Sequence, residues 1–202
     1  MTNPRGILLD LLASRAYGYD PEKGFPLASG DRSSEYIDCK EALSLPEGIA
    51  AASALLVERL IASVEAVGGL TMGADPLAIA VSMASAGTSQ PRRWFSVRKQ
   101  PKSHGRKRLV EGLPQGSSFR LAIFDDVATR GESTLDAIRK ARSEGHHVVQ
   151  VVVLVDREAG GLERIQQEVG PTVPVSAIFR LSEIHQAWQR LNPGSTAPRL
   201  AM

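Results

Sequence analysis

At 202 residues, the chain is long enough for one α/β domain with a modest appendage and a sizeable core. Hydrophobic and charged contents of 43% and 23% are ordinary for a globular protein, and a net charge of +2 argues against generalised polyanion binding. Cys39 is the one cysteine, which excludes an intrachain disulfide and a thiolate metal cage and fits a reducing compartment. No apolar run approaches the roughly 20 residues of a membrane span, and the polar start MTNPRG lacks a signal peptide's apolar segment, so a cytoplasmic location is expected.

Helical spacing of Ile7, Leu8, Leu11, Leu12 and Tyr17 predicts a helix over 5–17. Gly18, Pro21 and Gly24 then mark a loop. Extended pieces at 25–28 and 35–40 flank the turn SGDRSS as in a hairpin, which can cover a site as a lid, and Cys39 reads as a small, half-buried strand residue. Pro46 opens a helix over 47–63, followed by a strand at 66–70. The loop 71–76 admits two readings. Its backbone can approach an anion past Gly73 and Ala74, or it is a plain turn with Asp75 as cap and Pro76 at the first helical position. A helix over 77–86 and a strand over 93–97 lead into RKQPKSHGRKRLVEG, the most basic stretch, which has neither periodicity and reads as a mobile positive loop or a solvated face.

The stretch 119–145 carries the most information. A buried apolar strand ends in Asp125 and Asp126, and a loop with Thr129, Gly131 and Ser133 opens a helix bearing Leu135, Ile138 and Ala141. Such an edge suits a phosphate and a sugar, although a capped surface turn has the same local pattern. The β-branched run 148–155 predicts a strand buried on both faces, ending in Asp156-Arg157-Glu158-Ala159-Gly160-Gly161. A helix over 162–169, a strand over 173–179 and a helix over 181–191 follow. Ile184 and Trp188 are expected to pack that last helix onto the sheet, with His185 on its polar face and 192–202 as a frayed tail. No internal repeat or second domain is seen.

Four segments together resemble one family. IFDDVATRGES is similar to the phosphoribosyl-pyrophosphate (PRPP) signature of type I phosphoribosyltransferases. RKQPKSHGRKRLVEG resembles the catalytic loop of the orotate branch, while LASGDRSSEYID and LVDREAGG resemble that branch's hood hairpin and D-R-x-x-G-G strand end. Their order across 24–161 is far more specific than any one motif. The resemblance implies a single α/β domain over 1–202 with the type I phosphoribosyltransferase fold. It has a central parallel sheet flanked by helices, a hood mainly from 1–45, a mobile basic loop over 98–112 and the tail 192–202.

It also implies magnesium-dependent transfer of ribose 5-phosphate from PRPP to orotate. Arg98, Lys99, Lys102 and His104 would neutralise the pyrophosphate leaving group, with Lys102 nearest. Asp125 and Asp126 would hold the ribose hydroxyls and Mg2+, directly or through water. The 5′-phosphate would sit on the loop Val127, Ala128, Thr129, Arg130, Gly131, Glu132 and Ser133. Orotate would meet Thr129, Arg157 and the hood backbone at Tyr36 and Ile37. A homodimer sharing the basic loop between subunits is implied as well.

Some members differ at three places. They carry a lysine where Ala28 stands, Tyr-Lys where Met72 and Gly73 stand, and a small residue where Arg130 stands. A transferase of another base and a non-catalytic sensor are the alternatives. Arg157 argues against the first and the intact loop lysines against the second. Nucleic-acid binding is disfavoured, because the basic stretch lacks interleaved aromatics. No membrane association is expected.

Overall fold

The computed structural model describes residues 3–26, 32–101 and 108–193. In chain order its elements are α1 (Pro4–Leu11), a π-helical turn (Leu12–Ala16), β1 (Tyr17–Tyr19), β2 (Phe25–Pro26), β3 (Arg32–Ser33), β4 (Glu35–Ile37) and α2 (Cys39–Leu43). Then come α3 (Pro46–Arg59), β5 (Ala66–Leu70), α4 (Asp75–Ser85), β6 (Arg93–Val97) and β7 (Val110–Glu111). The remainder is β8 (Arg120–Ala128), α5 (Glu132–Ser143), β9 (His147–Asp156), α6 (Gly161–Val169), β10 (Val175–Arg180) and α7 (Leu181–Leu191).

Six strands form one sheet in the order β10-β9-β8-β5-β6-β7. All neighbours are parallel except β7, which pairs antiparallel with β6 at the edge. Side chains alternate across a strand, so two cores form, one per face. Ala122, Phe124, Val152 and Leu154 face a core shared with α1, α3 and α7. Leu121, Ile123 and Val151 face the other, covered by α5 and α6 through Leu135, Ile138 and Ile165. Ile184 and Trp188 are buried in the first core, as their spacing predicts.

The hood differs from the sequence reading. Tyr17 ends no helix; its buried ring meets Trp188 edge-on at 6.2 Å, and the chain is already extended there. The expected pairing of 25–28 with 35–40 is replaced by two ladders. Phe25 and Pro26 pair with Ser33 and Arg32, and Tyr17–Tyr19 pairs with Glu35–Ile37. That second register turns both Tyr17 and Ile37 into the core. Cys39 begins a helix and is wholly buried, because Asp38 caps it by accepting from Lys40 N at 3.0 Å. The next helix, α3, stops at Arg59, short of the expected 63; Gln150 Oε1 takes the Ile61 N–H and draws the chain off the helix axis. Asp75 is the first helical residue of α4, behind Ala74, and not its cap.

Candidate active site

Alternation along β8 decides what the two carboxylates face. Asp125 continues the Leu121 and Ile123 face, and it is buried beneath α5 with its Oδ2 accepting the Thr134 hydroxyl at 2.7 Å. Burial pushes its carboxyl up to about 7 against the effect of Thr134, and the neighbouring Asp126 carboxylate adds to the rise. Asp126 continues the opposite face toward the hood. Its Oδ1 accepts from Val127 N at 3.0 Å, and Lys40 Nζ on α2 lies 3.5 Å from Oδ2. Gly73 lies against it: a Cβ there would come within 2.5 Å of Asp126 Oδ1. The acidic pair thus divides between two environments, one under a helix and one open to the hood side.

Beyond β8 the chain turns sharply at Gly131, whose φ of 74° is left-handed and favours glycine. No side chain caps α5 there, although the first amides of any helix lack intrahelical acceptors. An uncapped N-terminus of a 12-residue helix directly after an acidic strand end is suited to an anion. Arg130 is exposed, and its carbonyl accepts from Arg164 Nη1 at 2.7 Å. Gly161 of the D-R-x-x-G-G stretch makes this loop possible. A Cβ on it would lie 2.6 Å from Thr129 O and 3.1 Å from Gly131 N. The motif's last glycine therefore lets α6 and the Thr129–Gly131 backbone touch, a packing role that the residue pattern did not reveal.

Arg157 bridges sheet and hood. Its backbone N–H donates to Ala128 O at 2.9 Å, and its Nη2 donates to Glu35 O at 3.1 Å and Ser33 Oγ at 3.3 Å. Of the two hood residues expected near the ring, Tyr36 is half-buried against Phe25, while the Ile37 side chain belongs to the core. Nor is His185 simply on a polar face. Its Nδ1 is 2.8 Å from the Tyr17 hydroxyl, which also donates to Glu35 Oε1 at 2.5 Å. Burial, reinforced by Glu35, pushes that hydroxyl's pKa well up, so it stays protonated. A cavity of about 490 Å3 lies beside this cluster, between Arg157, Tyr19 and Ser182.

At the other end of the site, Arg98 and Lys99 line a groove of about 710 Å3 with Thr71, Met72 and Asp75. Arg98 Nη1 lies 3.7 Å from Glu111 Oε1, and Thr71 donates to Asp75 Oδ2 at 2.6 Å. The loop 71–74 thus joins the two halves, with Met72 in the groove and Gly73 on Asp126. Lys102 and His104 lie outside the described residues, as do Ala28 and 194–202. Among the described residues, no group of three or more His, Cys, Asp or Glu could hold a metal, and no helix is long and apolar enough to cross a membrane.

Known proteins are similar to this chain in sequence and in fold. Orotate phosphoribosyltransferase of Aquifex aeolicus is 41% identical over 180 residues, covering 88% of this chain and 95% of that protein. The enzyme of that name from a Nostoc species is 39% identical over 186 residues, covering 91% and 86%. The chain belongs to the orotate phosphoribosyltransferase family. No family model matches it. Among solved structures, Mycobacterium tuberculosis orotate phosphoribosyltransferase in complex with PRPP superposes with a TM-score of 0.70 at 28% identity, over 90% of this chain and 99% of that one. The expected fold class is therefore correct, with one refinement: the orotate phosphoribosyltransferase sheet ends here in the antiparallel β7.

Proposed function

We propose that this chain transfers ribose 5-phosphate from PRPP to N1 of orotate, giving orotidine 5′-monophosphate and pyrophosphate in de novo pyrimidine synthesis. The observation that carries this reading is the convergence of an uncapped α5, Asp126 and the hood-bridging Arg157 at one sheet edge. These groups match the chemistry of a 5′-phosphate, a ribose diol and an anionic base.

The α5 amides and the helix dipole take the 5′-phosphate. Asp126 accepts from the ribose hydroxyls, and Asp125 backs the loop through Thr134. As the C1–O bond breaks, its electron pair leaves with pyrophosphate and positive charge grows on the sugar. Arg98, Lys99, Lys102 and His104 neutralise the leaving oxygens, each donor contributing on the order of 10²–10³ in rate. N1 of orotate then bonds to C1 from the side of Arg157, which neutralises the orotate carboxylate, and the N1 proton passes to the departing pyrophosphate.

Of the two expected metal ligands, Asp126 fits Mg2+, which binds through one or two carboxylates plus substrate phosphates and needs no all-protein cage. Asp125 does not face the same side, because it is buried under α5 and its Oδ2 is taken by Thr134. When bound, the ion supplies further charge neutralisation on PRPP.

A homodimer belongs to the same reading. Met72, Ile79, Met83 and Trp94 are large apolar groups exposed at 66%, 39%, 74% and 41%. Three of them line the groove of Arg98 and Lys99, so a second copy seated there would abut the basic segment.

The test is orotate absorbance with purified protein, with and without PRPP and Mg2+. Loss that requires both supports the reading. No loss, or faster consumption of uracil, hypoxanthine or xanthine than of orotate, refutes it.

A further inference from the structure

Both ends of the basic segment are tied to one helix. At the incoming end, Lys140 Nζ on α5 donates to Arg98 O at 3.1 Å and Lys99 O at 2.8 Å, and its third hydrogen goes to Asp136 Oδ2 at 2.6 Å. An ammonium has three hydrogens to give, and all three are used. At the outgoing end, Glu144 Oε1 accepts from Leu109 N, and from Val110 N at 3.2 Å. Its Oε2 lies 4.0 Å from Arg108 Nε. The two ends also meet each other, Arg98 N donating to Leu109 O at 2.8 Å.

Lys140 lies in the last turn of α5 and Glu144 is its C-cap residue, with its N–H on Lys140 O at 3.2 Å, so both stand at the same end of the helix. Neither bonds to the side chains expected to do chemistry. Both grip backbone, through charge-assisted hydrogen bonds that are stronger than neutral ones. The Lys140 side chain is only 17% exposed, so solvent screens its contacts weakly. The same helix carries the uncapped N-terminus at its opposite end, about 18 Å away for 12 residues.

We propose that Lys140 and Glu144 are positioning residues for the transfer reaction: they clamp both ends of the 98–110 segment to α5 and so set where Arg98 and Lys99 stand relative to the acidic strand end. The effect on turnover rests on the transferase reading above. The clamp itself rests only on geometry.

The test uses Lys140→Met, Glu144→Ala and the conservative Lys140→Arg in the full-length protein, with two readouts. Amide exchange over 97–113 should quicken at least about tenfold in the first two variants, while β8 and β9 exchange as in wild type. Turnover should fall about tenfold with KM for orotate within about twofold, as small misplacement of a catalytic group affects the chemical step. Lys140→Arg should recover most of both. Unchanged exchange at 98, 109 and 110, or faster exchange throughout the sheet, overturns the clamp. Faster local exchange with normal kcat overturns the positioning role. Wild-type protein without orotate turnover refutes the transferase reading instead, and the clamp is then judged on exchange alone.

Discussion

Thr134 gives its hydroxyl hydrogen to Asp125 Oδ2 across 2.7 Å, joining the end of the central strand β8 to the first turn of α5. The bond is buried, so the Asp125 carboxyl is held in surroundings that disfavour its charge, and it titrates at about 7. An unfolded aspartate titrates near 4, as a rule. The folded state therefore binds more protons between these values. The site's stabilising contribution is full below about pH 4 and is lost as pH rises through about 7. Asp125→Asn keeps an acceptor for Thr134 and removes the charge. Denaturant unfolding should show the variant's advantage over wild type larger at pH 8 than at pH 5. An equal difference at both would mean that Asp125 does not titrate in this window.

Arg157 reaches the hood through Glu35 O and Ser33 Oγ, and in the proposed reaction it also supplies the positive charge that meets the base. Arg157→Ala should raise KM for orotate at least about tenfold and leave KM for PRPP within about twofold. Lys, which cannot bond in a planar fork, should rescue only part of this. Equal loss for both substrates would make Arg157 a brace and nothing more.

Two glycines separate packing from chemistry. Gly161→Ala drives a methyl group into Thr129 O and Gly131 N, backbone atoms that cannot step aside. It should cost about 1–3 kcal/mol of stability, as overpacking does, and raise KM for PRPP. Gly73→Ala meets the Asp126 carboxylate first, a side-chain end that can rotate. It should leave the melting temperature nearly unchanged and cut turnover instead. Reversal of the two patterns would contradict the site geometry.

Met83 is the most exposed large apolar residue among those described, at 74%. If the α4 face seats a second copy, Met83→Glu should shift the protein to monomer in light scattering and lower activity in proportion. A monomeric wild type would remove the composite-site reading altogether.

Much of this was legible in the residue pattern. The apolar runs in β8 and β9 are nearly continuous, broken in β9 by the buried Gln150, because both faces of those strands are covered; a strand with one face in solvent would alternate with polar residues. The partition of Asp125 and Asp126 also follows from strand alternation, once it is known which face carries α5. The hood was less legible. Short strands such as β2 and β3 are too brief for periodicity, and β1 pairs with β4 across that intervening ladder. Cys39 was misread because Tyr36-Ile37-Asp38-Cys39 alternates like a strand, although Asp38 is there a helix cap. Lys140 and Glu144 looked like ordinary surface charges of an amphipathic helix. Their partners are backbone groups of Arg98, Lys99, Leu109 and Val110, which no side-chain pattern announces.

The hood's clasp has a consequence for the order in which the molecule is assembled. Tyr17 meets His185, and Arg5 meets Ile178 O at 2.8 Å and Glu183 at 2.6 Å, contacts spanning 168 to 178 residues of chain. During synthesis Arg5 and Tyr17 are made well before these partners exist, because the chain grows from its N-terminal side. A nascent chain ending at residue 180 has every strand of the sheet, yet it still lacks the α7 groups that hold Tyr17 and Arg5. The roof over the acidic strand end is thus made well before it can be secured.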